Sequence, residues 1–141
     1  MNSERPVLVC VTAQESSENL VKTGKGIAEK HSCPLEVVSV LPTDRKNERS
    51  DHEIIEKLFQ LSKNYGGEMA VYFNDDPVLT VSAHIAKRKP LTIVTGFPGE
   101  NSNNFINLIH SLFPETTISM VDSEGTVYNM VPSEKTIPFF T

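Results

Sequence analysis

The sequence predicts an α/β domain in which helices cover both faces of a five-stranded parallel sheet, giving a three-layer sandwich. The 141 residues are enough for one domain with a core of its own. Apolar runs of strand length alternate along the chain with segments whose apolar residues recur at helical spacing. Regular alternation of this kind favours parallel strands joined by right-handed helical crossovers.

Three strands and two helices are predicted in the first half of the chain. The strands are apolar over most of their length, as expected where a sheet is covered on both faces, and they span residues 6–12, 35–41 and 68–73. The first helix starts at a cap on Ser16 or Ser17 and has one apolar face, formed by Leu20, Val21, Gly24, Ile27 and Ala28. The second helix starts with the capping-box pair Ser50 and Glu53 and stops at Gly66-Gly67.

The second half continues the alternation. Asp76 as a cap, with Pro77 in the first turn, starts a third helix that ends before Pro90. The remaining elements are a fourth strand, a fourth helix, a fifth strand and an extra C-terminal strand, at residues 91–95, 105–112, 116–121 and 126–131. We therefore divide the chain into an α/β domain, residues 1–131, and a C-terminal tail, residues 132–141.

Charge and composition narrow the function classes. A net charge of −5 argues against a general nucleic-acid binder, which needs a basic face for the phosphate backbone. The short basic run at residues 87–89 suits the last turn of a helix. The chain has no apolar stretch near the ~20 residues of a membrane span and no secretory-signal pattern at its start. Cys10 and Cys33 are expected to be reduced, so we expect a cytoplasmic protein.

A ligand site is expected beyond the carboxyl ends of the strands, where open parallel sheets bind their ligands. Gly96 and Gly99 lie between the fourth strand and the fourth helix, where they suit either a phosphate cradle or a plain turn. The nucleotide-binding candidates at these strand ends are Thr12, Ala13, Gln14, Leu41, Gly96, Phe97, Gly99 and Ser102.

Convergent catalytic groups are not evident. The four histidines fall on four different predicted elements without the spacing of metal ligands, and His52 and His84 are expected to be exposed. Asp76 is explained by its capping role, and Cys10 within a strand is expected to act as an inert apolar residue. We therefore expect no catalytic residue and no metal site.

The order of elements and the local motifs resemble the universal stress protein family over nearly the whole chain. Members that bind adenine nucleotides carry a Gly-x-x-Gly after a strand and, further on, a Gly-Ser or Gly-Thr pair. Gly96 and Gly99 match the first motif, whereas Ile109-His110 stand in the place of the second. A narrower resemblance is to the universal-stress-like domain of the potassium-sensor kinase KdpD, on residues 9–12, 16–17 and 75–96.

The resemblance implies a Rossmann-like sheet of strand order 3-2-1-4-5. It also implies a non-catalytic regulatory or stress-response module that binds ATP or AMP, or else cyclic di-AMP, as some KdpD domains do. Partners implied in the same way are a second copy, paired through the last strand to form a homodimer, and a signalling protein or kinase. The alternative is a nucleotide-free homodimeric interaction module, which the apolar tail at residues 137–140 favours.

Overall fold

The computed structural model describes residues 5–11, 17–43, 49–97 and 104–130. Within these ranges the strands are Val7–Val11 (β1), Leu35–Leu41 (β2), Glu68–Phe73 (β3), Thr92–Gly96 (β4), Thr117–Val121 (β5) and Val127–Met130 (β6). The helices are Ser17–His31 (α1), Arg49–Asn64 (α2), Pro77–Arg88 (α3) and Asn104–Leu112 (α4). The alternation of strands and helices inferred from periodicity is thus confirmed in these ranges.

The strands of the described ranges form one sheet in the order β3-β2-β1-β4-β5-β6. The first five strands in chain order are parallel, and β6 runs antiparallel to β5, with Ile118 opposite Met130. The predicted α/β class, the order 3-2-1-4-5 and the extra C-terminal strand are therefore confirmed. The chain moves outward from β1 to β3 and then returns to the other side of β1, so β1 and β4 are central neighbours.

The sheet separates two apolar cores because side chains alternate along each strand. On β1, Val7, Val9 and Val11 pack with residues of α1 and α2, whereas Leu8 and Cys10 pack with residues of α3 and α4. All residues of β1 are buried, as its nearly continuous apolar sequence predicts for a strand covered on both faces. The three-layer arrangement follows directly from these two cores.

The described helix ends lie close to the positions that the sequence signals predict. The Asp76 side chain accepts a hydrogen bond from the Leu79 N–H at 3.0 Å, as the predicted cap of α3 requires. Gly66 adopts the left-handed φ of 77° that ends α2. However, α2 begins at Arg49, so Ser50 lies inside the first turn rather than at the cap.

β4 is displaced by one residue from its predicted range of 91–95. β4 extends to Gly96, because its ladder with β5 continues to the pair Gly96 and Val121.

Both Cys10 and Cys33 are free thiols, as expected. Of the helices in the described ranges, none has the length and apolar character needed to cross a membrane. The tail at residues 132–141 lies outside the described residues, so the proposed domain division stays a prediction.

Candidate functional site

An apolar cleft opens where the carboxyl ends of β1 and β4 separate. β1 pairs with β4 as far as Val9 and Val94, whereas its ladder with β2 continues to Val11 and Ser39. The helix after β1 covers one face of the sheet and the helix after β4 covers the other. This is the switch point at which open α/β sheets bind their ligands. The predicted position of the site therefore coincides with a real opening in the sheet.

The cleft is a cavity of about 280 Å³ between the sheet and the N-terminal turns of α3 and α4. Its described lining comes from three strands and two helices and comprises Cys10, Val11, Val38, Val40, Thr95, Pro77, Val81 and Phe105. The volume lies just below the range of roughly 300–1,000 Å³ that is typical of small-molecule sites. Such a cavity suits one flat, largely apolar ring.

The α3 side of the cleft carries negative charge. Asp75 accepts hydrogen bonds from the backbone N–H and the hydroxyl of Thr43, at 3.0 and 3.1 Å, and so ties the end of β2 to the start of α3. Asp76 caps α3 next to Pro77, which lines the cavity. These two carboxylates disfavour a phosphate at this helix end. The N-terminus of α4, beside Phe105, is the other helix start in the described lining.

Three of the predicted site residues are described, and none of them is among the described residues that line the cavity. Leu41 is buried two positions after Ser39, on the face of β2 opposite Val38 and Val40. Gly96 ends β4 with open space around its Cα. The Phe97 N–H donates to the Val121 carbonyl at 2.9 Å, so it is not open to a phosphate.

Phe97 is instead part of an aromatic pair at the far edge of the sheet. Its ring stacks on Tyr128 of β6, with ring centroids 4.6 Å apart and an interplanar angle of 27°. Both rings remain about two-fifths exposed. The other five candidates, Thr12, Ala13, Gln14, Gly99 and Ser102, lie outside the described residues, and their part in ligand binding stays a prediction.

Sequence reasoning missed the residues that form the cavity wall. The predicted site residues are the ends of the strands and the turns that follow them, whereas the described wall also includes residues further inside the strands, such as Cys10 and Val38. Strand alternation was the available signal, because residues of one parity on adjacent parallel strands share a face. Pro77 and Val81 were recognised only as helix start and core.

The prediction of an exposed His84 is wrong. Its side chain is only 9% exposed, because α3 turns it towards β2, where Nε2 lies 3.1 Å from Glu36 Oε1. Its Nδ1 lies 2.9 Å from the Tyr72 hydroxyl. Arg88, four residues further along α3, pairs with the other Glu36 oxygen. A buried carboxylate that needs partners was the signal for this cluster, and β2 places Glu36 in that position.

The pKa of Glu36 reflects two opposing effects. Burial acts to raise the pKa, but the hydrogen bonds and charges of His84 and Arg88 outweigh it, and the carboxyl has a pKa below its usual value. Glu36 is therefore ionised at neutral pH. The sequence predicts that the basic last turn of α3 interacts with the helix dipole. In the structure this turn also supplies Arg88 as the counter-ion of the Glu36 carboxylate on β2.

Comparison with known proteins identifies the fold. No protein-family model and no curated protein sequence matches the chain. A universal stress protein solved in complex with cAMP superposes with a TM-score of 0.64 at 15% identity, covering 86% of this chain and 99% of that one. A universal stress protein from Archaeoglobus fulgidus in complex with dAMP has a TM-score of 0.57 at 16% identity, covering 77% and 90%.

A structure of different function is also similar. The 4-carboxy-2-hydroxymuconate hydratase from Pseudomonas putida has a TM-score of 0.56 at 8% identity, covering 82% of this chain and 65% of the hydratase. At such identities structural likeness establishes fold and not activity. This chain has the Rossmann-like fold that is found in the universal stress proteins.

Proposed function

We propose that this chain is a regulatory or stress-response module of the universal stress protein family that binds an adenine nucleotide at the switch point of its sheet. The observation that carries the proposal is the apolar cleft at the carboxyl ends of β1, β2 and β4. Two proteins of the same fold were solved with adenine nucleotides, cAMP and dAMP. An adenine ring is the kind of flat, largely apolar group that such a cavity accepts.

The lining suggests how the nucleotide would lie. The base would pack between Val40 of the sheet and Val81 of α3, with the Thr95 hydroxyl as a polar neighbour. The ribose and phosphate would leave the cavity on the α4 side, because Asp75 and Asp76 carry negative charge on the α3 side. The positive end of the α4 dipole favours an anion there.

The size of the cavity favours mononucleotides. At about 280 Å³ it has room for one base, so a second base would remain outside. We therefore expect AMP, ATP or cAMP to bind more tightly than cyclic di-AMP. Sensing in the manner of the KdpD domain, with a kinase or signalling protein as partner, remains the narrower form of this proposal.

Binding without turnover is proposed for the cleft. Cys10 is the thiol in the described lining of the cleft, and burial raises the pKa of this thiol to about 12. A thiol with such a pKa stays protonated at neutral pH and is a poor nucleophile.

Calorimetric titration with AMP, ATP, cAMP and cyclic di-AMP tests the proposal. Val40→Phe should fill the cavity and weaken mononucleotide binding by at least about tenfold, since the lost contacts exceed about 1.4 kcal/mol. Val71→Phe is the matched control: Val71 is a half-buried valine on the neighbouring strand that is not part of the described cavity lining. Failure of every nucleotide to bind at millimolar concentration would refute the proposal. Equal affinity of Val40→Phe and Val71→Phe for the nucleotide would show that it does not bind in this cleft.

A nucleotide-free homodimer is the second candidate, and the edge of the sheet favours it. β6 is an edge strand of the sheet formed by the described residues, and its four residues include neither a charge nor a proline. Such residues are the usual protection of an edge against pairing with another strand. Val127 and Tyr128 are also exposed there, at 40% and 42%.

A further inference from the structure

A groove on the other side of α3 is separate from the cleft. It has a volume of about 310 Å³ and lies between α3 and the end of β3. Its described lining includes Tyr72, Leu79, Ala83, His84 and Lys87. The cleft and the groove share none of the described lining residues, although α3 borders both.

A chain of hydrogen bonds leads from this groove into the core. The Tyr72 hydroxyl, on a side chain that is 37% exposed, lies 2.9 Å from His84 Nδ1. His84 Nε2 lies 3.1 Å from Glu36 Oε1, and Arg88 holds the other carboxylate oxygen. A nucleophile within hydrogen-bond reach of a base that is itself oriented by a third group is the arrangement that activates weak nucleophiles.

The positions of the protons follow from the charge on Glu36. The ionised carboxylate can only accept hydrogen bonds, so the neutral His84 ring must carry its proton on Nε2 and donate it to Glu36. Nδ1 then has a free lone pair, and it accepts the hydrogen bond from the Tyr72 hydroxyl. The ring is therefore held in the tautomer that can take a proton from the phenol.

Among the residues that the structure describes, the hydroxyls of the other two tyrosines contact carboxylates and no histidine. The Tyr65 hydroxyl lies 3.5 Å from Glu18, and the Tyr128 hydroxyl lies 3.3 Å from Asp122. The charge of Asp122 raises the pKa of Tyr128, which opposes formation of the phenolate. Tyr72 is thus set apart from the other two by a histidine that a carboxylate orients.

We propose that Tyr72 is a site of covalent acylation, with its hydroxyl as the nucleophile, His84 as the base and Glu36 as a positioning residue. The phenol oxygen attacks the carbonyl carbon of an activated acyl donor, such as a thioester or an acyl phosphate. As the new carbon–oxygen bond forms, the phenol proton moves to His84 Nδ1. The leaving group departs with the electron pair of the broken bond, and the imidazolium then returns its proton to water or to the leaving group.

The lining of the groove favours an acyl group over a phosphoryl group. Leu79 is 64% exposed and, together with Ala83, offers apolar surface for an acyl chain beside Tyr72. Lys87 is the one cation in the described lining, whereas phosphoryl transfer relies on several cationic groups or metal ions around the transferred phosphate.

The test exposes the full-length chain to p-nitrophenyl acetate and follows each tyrosine by peptide mass spectrometry. Sensitivity of the acetyl group to hydroxylamine separates tyrosine esters from lysine amides. Tyr72 should acquire acetyl at least about tenfold faster than Tyr65 and Tyr128, and His84→Gln should slow it by on the order of 100-fold, the usual contribution of a general base. Acetylation of Tyr72 should release p-nitrophenolate in an initial fast phase, and Tyr72→Phe should remove this phase.

The pH profile identifies the role of Glu36. Charged and titratable groups around His84 are Tyr72 and Glu68 of β3, Glu36 of β2, and Lys87 and Arg88 of α3. The wild-type rate of Tyr72 acylation should rise with pH and then level off, and Glu36→Gln should shift the pH at which that rise occurs. This measurement needs only the folded wild-type chain if the His84 variant is unstable. Equal labelling of the three tyrosines, or a Tyr72 rate without such a rise, would overturn the proposal.

Discussion

At the scale of single residues, the environment of Glu36 determines both the charge of this carboxyl group and the orientation of His84. The strand β2 places this carboxylate in the sheet, where the whole residue is only 8% exposed. A buried charge of this kind is tolerated when it is paired and hydrogen-bonded, and His84 and Arg88 supply both. The same pairing that offsets the cost of burial orients His84 towards Tyr72.

The lowered pKa of Glu36 makes stability depend on pH. A group whose pKa is lower in the folded than in the unfolded state stabilises the fold above its unfolded value, here about 4.5, and this contribution is lost as the pH falls through the folded value. Urea denaturation should therefore show a loss of unfolding free energy below about pH 4.5 that is smaller in Glu36→Gln.

Glu29 is the matched control for this effect. It pairs with Lys25 on the surface of α1, where its side chain is 68% exposed, and exposed pairs contribute little to stability. Glu29→Gln should leave the acid dependence of the unfolding free energy almost unchanged. If the two variants have the same pH dependence, the pairing of Glu36 does not stabilise the fold.

At the scale of elements, α1 packs closely against the sheet. Gly24 faces the sheet so closely that an added Cβ would collide with the Val9 side chain and lie 3.2 Å from Leu35 Cδ1. The absence of a side chain at this position sets the distance of α1 from β1. Gly26, two positions further along the same helix, has open space at its Cα.

These two glycines predict opposite effects of the same substitution. Gly24→Ala should destabilise the protein by about 1–3 kcal/mol, because the extra methyl group overpacks the core. Gly26→Ala should stabilise it by up to about 1 kcal/mol, because alanine has the higher helix propensity. Thermal and urea unfolding measure both changes, and a Gly24→Ala protein as stable as the wild type would show that α1 can shift away from the sheet.

At the scale of the whole molecule, strand order has two consequences. The return of the chain past β1 opens the cleft in the middle of the sheet, and the antiparallel β6 becomes one of its edges. β3 forms the other edge and borders the groove beside Tyr72. The proposed nucleotide cleft, the proposed dimer edge and the proposed acylation groove therefore occupy three separate parts of one sheet.

The dimer candidate predicts that the edge of β6 controls association. Wild-type protein should be a dimer by light scattering at micromolar concentration, and Val127→Lys should convert it to a monomer by placing charge on the edge. Leu108→Lys, which changes an exposed apolar residue on α4, should remain a dimer. A wild-type monomer, or a dimer that survives Val127→Lys, would contradict pairing through this edge.

Much of the fold could be predicted from local sequence, because its signals are local. The apolar run of β1, the Asp76-Pro77 start of α3 and the Gly66 stop of α2 each act within a few residues, and all three were located correctly. The candidate site was predicted at the end of the sheet where the cavity opens, but the three predicted residues that are described, Leu41, Gly96 and Phe97, are not in the described cavity lining. Topology alone gives the position of the opening, whereas the register and facing of each strand decide which side chains line it.

The sequence by itself determined the order of strands and helices, and through it the parallel sheet and the position of its switch point. Only the tertiary structure decided that His84 is buried against Glu36 and Tyr72, or that Phe97 stacks on Tyr128. Glu36 and His84 are 48 positions apart, so no local periodicity connects them. Periodicity reports which face of an element is apolar, whereas such pairs depend on how separate elements align, which is set by packing across the whole core.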